Sequence, residues 1–194
     1  MTETVIGIFV GGAGKRMGGV AKGLLRAPHS DETLIQRLLA VCGRAAPQAT
    51  LYLVGASPEY ASLEVRQLSD DPSGIGPIGG LRSLLLRARA DGAARVLALA
   101  CDLPFLDEAI VASLLQPLHG AARVPLVDER FQPLAAAYTT EPTLAAVDHA
   151  LSLGKHALMH VLDELGDDLE PLELEGLQAR ALRDWDTPDD VQNH

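Results

Sequence analysis

The sequence predicts a single α/β domain built around a mostly parallel sheet. Short apolar runs alternate with amphipathic stretches of helical period along the chain, and strands that alternate with helices usually pair in parallel. The chain of 194 residues is 47% hydrophobic, which suits one compact core and requires no second domain. We therefore treat residues 1–194 as one domain.

Composition and charge exclude several classes of function. The net charge is -10, and residues 98–194 carry 18 acidic but only 5 basic side chains, so we expect no nucleic-acid partner. No run approaches 18 uncharged apolar residues and the first residues lack the pattern of a signal peptide, so we expect a cytoplasmic protein without a membrane partner. Cys42 and Cys101 lack metal-ligand spacing and are expected to be buried free thiols.

The first predicted strand, residues 5–10, opens into a loop with the composition of a phosphate-binding site. Residues 11–19 contain five glycines. Glycine permits positive φ and has no Cβ, so successive backbone amides can turn toward a phosphate oxygen. Arg16 and Lys22 add positive charge, and residues 4–30 contain no acid. The segment is therefore predicted to bind an anion at the end of the strand.

Two familiar phosphate loops do not match this spacing. A Walker loop requires G-x-x-x-x-G-K-[ST], but Gly14-Lys15 is followed by Arg16. A Rossmann loop requires a third glycine at the position that Met17 occupies. The spacing disfavours both a P-loop NTPase and a dinucleotide-dependent oxidoreductase.

The remaining elements follow in alternation along the chain. We predict helices over 32–46, 81–90, 106–118 and 142–153, and strands over 50–54, 65–68, 95–101, 122–127 and 131–138. The acidic run 163–170 is expected to be a solvated loop. His156 and His160 are four residues apart but lack the glutamate of the H-E-x-x-H zinc motif, and they are expected to be solvated helix histidines.

Two of these strand ends carry carboxylates. Asp70 and Asp71 precede a glycine-rich turn that leads into a helix, an arrangement that also occurs in ordinary loops. Asp102 ends an apolar run typical of a strand buried on both faces, at the edge where ligands bind in open α/β sheets. Asp102 could instead cap the helix that follows, because Asp is a good N-cap.

The glycine-rich loop resembles the opening motif of the molybdenum cofactor guanylyltransferases, L-A-G-G-x-x-x-R-M-G-G-x-D-K. Three later segments resemble further motifs of the same family: 76–81 resembles G-P-L-A-G, 101–105 resembles C-D-x-P-[FY], and 184–190 resembles D-x-[ND]-T-P-E-[DE]. The chain departs from the family at Ala21, where Asp is usual, at Gly55, where Asn is frequent, and at Gln132, where a His often precedes the proline.

The resemblance implies both a fold and a reaction. The fold is of the nucleotide-diphospho-sugar transferase type, a three-layer α/β/α domain whose mostly parallel sheet has one late antiparallel strand. The reaction transfers GMP from GTP to molybdopterin and releases pyrophosphate. Mg²⁺ is the implied cofactor, and transient contact with other cofactor-assembly proteins is expected.

The resemblance also implies the site residues. Arg16, Lys22 and Asp102 are the expected catalytic residues, and Asp102 is the expected magnesium ligand, with Asp186 or Asp70 as a candidate second contact. The expected nucleotide-binding residues are Val10, Gly11, Gly12, Gly14, Lys22, Gly55, Asp71, Gly76 and Asp102.

Two other interpretations stay open at this point. The chain could be another NTP transferase, using CTP on molybdopterin or acting on a sugar or lactate phosphate, because the loop recognises a triphosphate rather than a base. It could also be a nucleotide-binding assembly protein without turnover, an interpretation that the departures at Ala21 and Gly55 keep open.

Overall fold

The computed structural model describes residues 4–11 and 21–185 and shows a mixed sheet between two layers of helices. The strands are β1 (Thr4–Phe9), β2 (Thr50–Val54), β3 (Arg66–Leu68), β4 (Arg95–Ala100), β5 (Ala122–Val127), β6 (Arg130–Phe131), β7 (Ala135–Thr139) and β8 (Leu169–Glu173). The helices are α1 (Leu34–Ala45), α2 (Pro77–Ala90), α3 (Glu108–Leu114), α4 (Thr140–Ser152), α5 (Leu158–Leu165) and α6 (Gly176–Ala181).

The sheet has the strand order β3-β2-β1-β4-β7-β5-β6, and β8 pairs with β5. β1 pairs in parallel with both β2 and β4. β7 runs antiparallel to β4 and β5, which confirms the late reversed strand. The two-residue strand β6 is also antiparallel to β5, which the sequence did not predict.

The central strands are buried on both faces because their apolar runs supply side chains to both helical layers. Along β1, Val5 and Phe9 pack against the layer of α2, α4 and α5. Ile6 and Ile8 pack against the layer of α1, α3 and α6. Cys42 and Cys101 are buried and free, as expected. Within the described residues, no helix is both long enough and apolar enough to cross a membrane.

Several predicted element boundaries were wrong. α1 begins at Leu34 and not at residue 32, because Thr33 is its N-cap and forms a reciprocal capping box with Gln36. α2 begins at Pro77, because proline is compatible with the first position of a helix. The acidic run is not a loop, since its first residues complete α5 and its end begins β8.

We predict that Gly7 is required for the close packing of α2 on β1. A Cβ on Gly7 would lie 2.6 Å from Leu84 Cδ2 and 2.9 Å from Val54 Cγ2. Gly7→Ala should therefore lower the free energy of unfolding by about 1–3 kcal/mol, the usual range for an overpacked core. The measurement is chemical denaturation.

The matched control is Gly43, which is exposed on α1, and a Cβ at this position would have no neighbouring atom within 4 Å. Gly43→Ala should raise the free energy of unfolding by about 0.5–1 kcal/mol, because alanine has the higher helix propensity. Equal effects of the two substitutions would contradict the packing described.

Candidate active site

The candidate site lies where β1 and β4, two adjacent parallel strands, end. Phe9 is the register partner of Val54 on one side and of Ala100 on the other. Beyond the ladder, the Val10 amide donates to the Val54 carbonyl at 2.9 Å and the Cys101 amide donates to the Phe9 carbonyl at 3.1 Å. The segments that follow β1 and β4 therefore leave the sheet side by side, at the edge where open α/β sheets bind ligands.

A pocket of about 920 Å³ occupies this edge of the sheet. Its volume is near the upper end of the range of about 300–1,000 Å³ that is typical of ligand sites. Its lining includes six polar side chains, namely Lys22, Asp70, Asp102, Gln132, His156 and Asp184. Val10, Gly11 and Gly76 also line it, which places three predicted nucleotide-binding residues together.

Lys22 and Asp102 form an ion pair inside the pocket. Lys22 Nζ lies 2.8 Å from Asp102 Oδ2, and the two side chains are only 19% and 15% exposed. The short helical turn Lys22–Leu24 is held by the Gly23 amide, which donates to the Tyr60 hydroxyl at 3.2 Å. The Asp102 carbonyl accepts from the Trp185 amide at 3.0 Å, so the end of the described chain returns to this site. A cation and a carboxylate are thus held together with little water around them.

Asp102 does not cap the helix that follows β4. The N-cap of α3 is Asp107, whose Oδ1 accepts a hydrogen bond from the Ile110 amide at 2.9 Å. The capping interpretation of Asp102 was therefore wrong, because the chain turns for several residues before the helix begins. The Asp102 carboxylate instead faces the pocket and Lys22.

Gly11 and Gly55 are in close backbone contact where the glycine-rich loop begins. Gly55 has a φ of +89°, and a Cβ at this position would lie 2.8 Å from the Gly11 nitrogen. Both the positive φ and the short distance to Gly11 require glycine at position 55. Gly55 is not among the residues that line the pocket, and its contact with Gly11 supports the backbone where the loop begins. The direct nucleotide contact that we predicted for Gly55 stays a prediction.

Asp70, and not the predicted Asp71, lines the pocket. Asp71 is exposed, and its Oδ2 accepts a hydrogen bond of 2.5 Å from Nη1 of Arg82, a residue of α2. The Asp71 amide donates to the Gly79 carbonyl at 3.1 Å, a bond that anchors the turn with Asp71 on the outside. Burial raises the pKa of the Asp70 carboxyl. The structure thus places Asp70 in this pocket and Asp71 on the surface beside it, and the predicted contact of Asp71 with a nucleotide stays untested.

The family model of the MobA-like NTP transferase domain matches residues 6–169. The chain belongs to this family. A molybdenum cofactor guanylyltransferase of Pseudomonas aeruginosa is 31% identical to it, over 96% of this chain and 92% of the relative. The sequence resemblance to that group of enzymes is therefore confirmed.

Solved structures share the fold of this MobA-like domain. Molybdopterin-guanine dinucleotide biosynthesis protein A from Archaeoglobus fulgidus matches with a TM-score of 0.74 and 21% identity, over 97% of this chain and 95% of that one. The 2-C-methyl-D-erythritol 4-phosphate cytidylyltransferase from Thermus thermophilus matches with a TM-score of 0.69 and 21% identity, over 98% and 96% of the two chains. The predicted fold class is confirmed.

Several predicted site residues of the MobA-like domain lie outside the described residues. They are Gly12, Gly14 and Arg16 in the glycine-rich loop, and Asp186 beyond the end of the described chain. Their roles stay predictions.

The sequence did not identify Gln132, His156 or Asp184 as pocket residues. Gln132 lies in a turn that interrupts the strand predicted over 131–138, where the Ala135 amide donates to the Gln132 carbonyl at 3.0 Å. The proline after Gln132 was a signal for this turn, because proline breaks a strand. His156 precedes α5 and is not a helix histidine. No local pattern marked it, because its position depends on how α5 packs.

The oxygen donors at this edge of the sheet suit a magnesium ion that is bound mainly by phosphate oxygens and water. Mg²⁺ in such sites is bound by one or two carboxylates together with phosphate oxygens and water. Asp102 supplies a carboxylate in the pocket, and Asp184 lines the same space. In residues 4–11 and 21–185, no group of three or more His, Cys, Asp or Glu side chains could hold a metal ion. The described residues fit an ion that arrives with phosphates, and they do not form a complete protein cage.

We predict that Asp70 contributes to nucleotide binding and that Asp71 does not. Asp70→Asn should weaken the binding of a nucleoside triphosphate by about 10-fold or more, because hydrogen bonds to a charged group contribute about 1.5–3 kcal/mol. Asp71→Asn, a matched change one residue away, should alter the Kd by less than about 2-fold, in line with the small contribution of exposed pairs. Calorimetric titration measures both; equal losses would contradict the assignment.

The raised pKa of Asp70 also predicts how Asp70→Asn changes the stability of the free protein. Because the pKa of Asp70 is higher in the folded protein than in the unfolded chain, ionisation of this carboxyl opposes folding as the pH rises through the folded-state pKa. Asp70→Asn removes that penalty, so the free variant should be at least as stable as wild type at pH 7. Thermal melts at pH 7 and pH 4 test this, and a lower Tm for the variant at pH 7 alone would contradict it.

Proposed function

We propose that this protein transfers GMP from GTP to molybdopterin, with release of pyrophosphate, to form the guanine dinucleotide form of the cofactor. The observation that carries the proposal is the Lys22–Asp102 pair, held at 2.8 Å beside the start of the glycine-rich loop, in the pocket at the end of β1 and β4. The relative named molybdenum cofactor guanylyltransferase, identical at 31% of aligned positions, supports the choice of base and acceptor.

The reaction requires alignment and charge neutralisation but no covalent nucleophile from the protein. A phosphate oxygen of the acceptor forms a bond to the α-phosphorus of GTP. The bond from that phosphorus to the oxygen bridging the α- and β-phosphates breaks, and both of its electrons leave with pyrophosphate. Because negative charge shifts onto the phosphate oxygens in the transition state, fixed positive charge is the main contribution of the protein.

The triphosphate would bind along the glycine-rich loop. Gly11 begins the loop in the pocket, with its backbone held against Gly55, and Gly12 and Gly14 would continue the row of amides. Arg16 would stabilise the departing pyrophosphate. Asp70, which lines the same pocket, would accept hydrogen bonds from the nucleoside, because an ionised carboxylate is an acceptor only.

Lys22 would stabilise the charge on the α-phosphate. Its side chain is only 19% exposed and is held by Asp102, so it needs little reorganisation when the nucleotide binds. Loss of one such preorganised group typically lowers turnover by about 10²–10³-fold. Asp102 would hold Mg²⁺, which when bound supplies positive charge between the phosphate oxygens. Magnesium dependence is part of the proposal.

A panel of nucleotides tests the proposal. The protein is incubated with molybdopterin, Mg²⁺ and each of GTP, CTP, ATP and UTP, and pyrophosphate release is followed together with the mass of the product. We expect release with GTP and a product that has gained one GMP. Release with CTP alone would instead support a cytidylyltransferase. Tight GTP binding without any release would support the non-catalytic assembly protein.

We predict that Asp102→Asn lowers turnover by about 10²-fold or more, and that excess Mg²⁺ restores it only in part. The amide keeps an oxygen for hydrogen bonding but has no formal charge to balance a metal ion between phosphates. The measurement is steady-state pyrophosphate release over a range of Mg²⁺ concentrations.

The control for this prediction is Asp107, the residue that caps α3. Asp107→Ala should lower the free energy of unfolding by about 1 kcal/mol through loss of the cap, and should leave turnover unchanged well below its Tm. Normal turnover of Asp102→Asn at ordinary Mg²⁺ would remove Asp102 from the metal site and point to Asp184 instead.

A further inference from the structure

One wall of the pocket, formed by the segments that lead into β7 and α5, differs in chemistry from the rest. Its lining residues are 132–135 and 156–159, and none of them is acidic. Asp70, Asp102 and Asp184 all line other parts of the pocket. This wall presents the Gln132 amide and the His156 imidazole beside apolar side chains.

The proposed nucleotide site accounts for one side of the pocket. Gly11, Asp70 and Gly76 belong to the segments after β1 and β3, so a nucleotide bound to them occupies that side. The pocket also extends to residues 132–135 and 156–159, which belong to the segments that lead into β7 and α5. The wall of residues 156–159 therefore faces the space that a second substrate would use.

The apolar side chains of this wall are suited to a ring. Leu134 is partly buried, Leu158 is buried and Met159 is 42% exposed, which is unusual for a large apolar side chain in this chain. Methionine is flexible and packs well against aromatic faces. An acceptor with a flat ring and an anionic phosphate would match an apolar surface that ends in a histidine.

The segment that carries His156 is tied to the domain by Glu164 of α5. Glu164 Oε2 lies 2.7 Å from His149 Nδ1 at the end of α4, and Glu164 Oε1 lies 3.4 Å from Lys155 Nζ. Lys155 is the residue directly before His156. The hydrogen bond to His149 lowers the pKa of the Glu164 carboxyl, so this carboxylate is ionised near neutral pH. Glu164 thus joins α4, α5 and the connection between them.

We propose that this wall binds the phosphorylated acceptor, that His156 donates a hydrogen bond to its phosphate, and that Glu164 is a positioning residue that holds His156 in place through Lys155. The inference rests on the proposed function, since it assigns the second substrate of the same reaction. It adds residues that the sequence did not mark and separates the acceptor side of the pocket from the nucleotide side.

The test is a split between the two substrates in steady-state kinetics. His156→Ala should raise the KM for molybdopterin by about 10-fold or more, the loss expected for a hydrogen bond to a charged group. Glu164→Ala should raise the same KM by about 3-fold, because exposed ion pairs contribute little each. The KM for GTP should change by less than about 2-fold in both variants.

Glu141 provides a matched control. It accepts two hydrogen bonds from Arg89, at 2.8 and 2.6 Å, and so joins α2 to α4 in the same way, but it does not line the pocket. Glu141→Ala should leave both KM values unchanged. Glu164→Gln, which keeps an oxygen acceptor for His149 or Lys155, should recover part of the loss in Glu164→Ala.

The outcomes separate this inference from the proposed function. An unchanged KM for molybdopterin in His156→Ala, or an equal rise in the KM for GTP, would overturn the acceptor wall while the transfer activity stands. A Glu141→Ala variant as impaired as Glu164→Ala would overturn the positioning role. A wild-type protein that binds GTP but transfers nothing to molybdopterin would overturn both.

Discussion

Parallel pairing of β1 with β4 determines where chemistry can occur, because it makes both strands end at the same edge of the sheet. Phe9 and Ala100 are register partners, so the glycine-rich loop and Asp102 leave the sheet next to each other. The continuous apolar runs of these two strands are buried by helices on both faces, which fixes the pairing. Lys22 lies 2.8 Å from Asp102, 80 residues away in sequence, and the turn that carries it is held by the hydrogen bond from the Gly23 amide to the Tyr60 hydroxyl.

The fold also requires glycine at a few positions where a side chain would not fit. α2 lies close to β1 and β2 because Gly7 and Gly80 have no Cβ; one on Gly80 would lie 2.8 Å from Val54 and 2.9 Å from Phe9. That close approach brings Asp70 over Gly80, where a Cβ would be 3.1 Å from the carboxylate oxygen. A carboxylate that opposes folding slightly is thereby kept in the pocket, which is typical of a residue retained for binding rather than stability.

Much of the fold could be predicted from the sequence, because apolar runs and glycine turns are local signals. The position of Asp102 was also predictable, since a carboxylate that ends a doubly buried strand has few other places to lie. Asp70 and Asp71 could not be told apart, because a backbone hydrogen bond from Asp71 to Gly79 decides which of two neighbours faces inward. His156 could not be found at all, because its place in the pocket depends on how α5 packs against α4, which no local sequence pattern shows.

The most direct test of the account is a crystal structure of the protein with Mg²⁺ and a GTP analogue whose α,β-bridge cannot be cleaved. We expect the triphosphate to lie along the glycine-rich loop at the end of β1, with Lys22 Nζ within hydrogen-bond distance of an α-phosphate oxygen and the metal ion on Asp102. The nucleoside would contact Asp70, and the wall of residues 156–159 would face open space. A nucleotide bound elsewhere, with the Lys22–Asp102 pair intact, would contradict it.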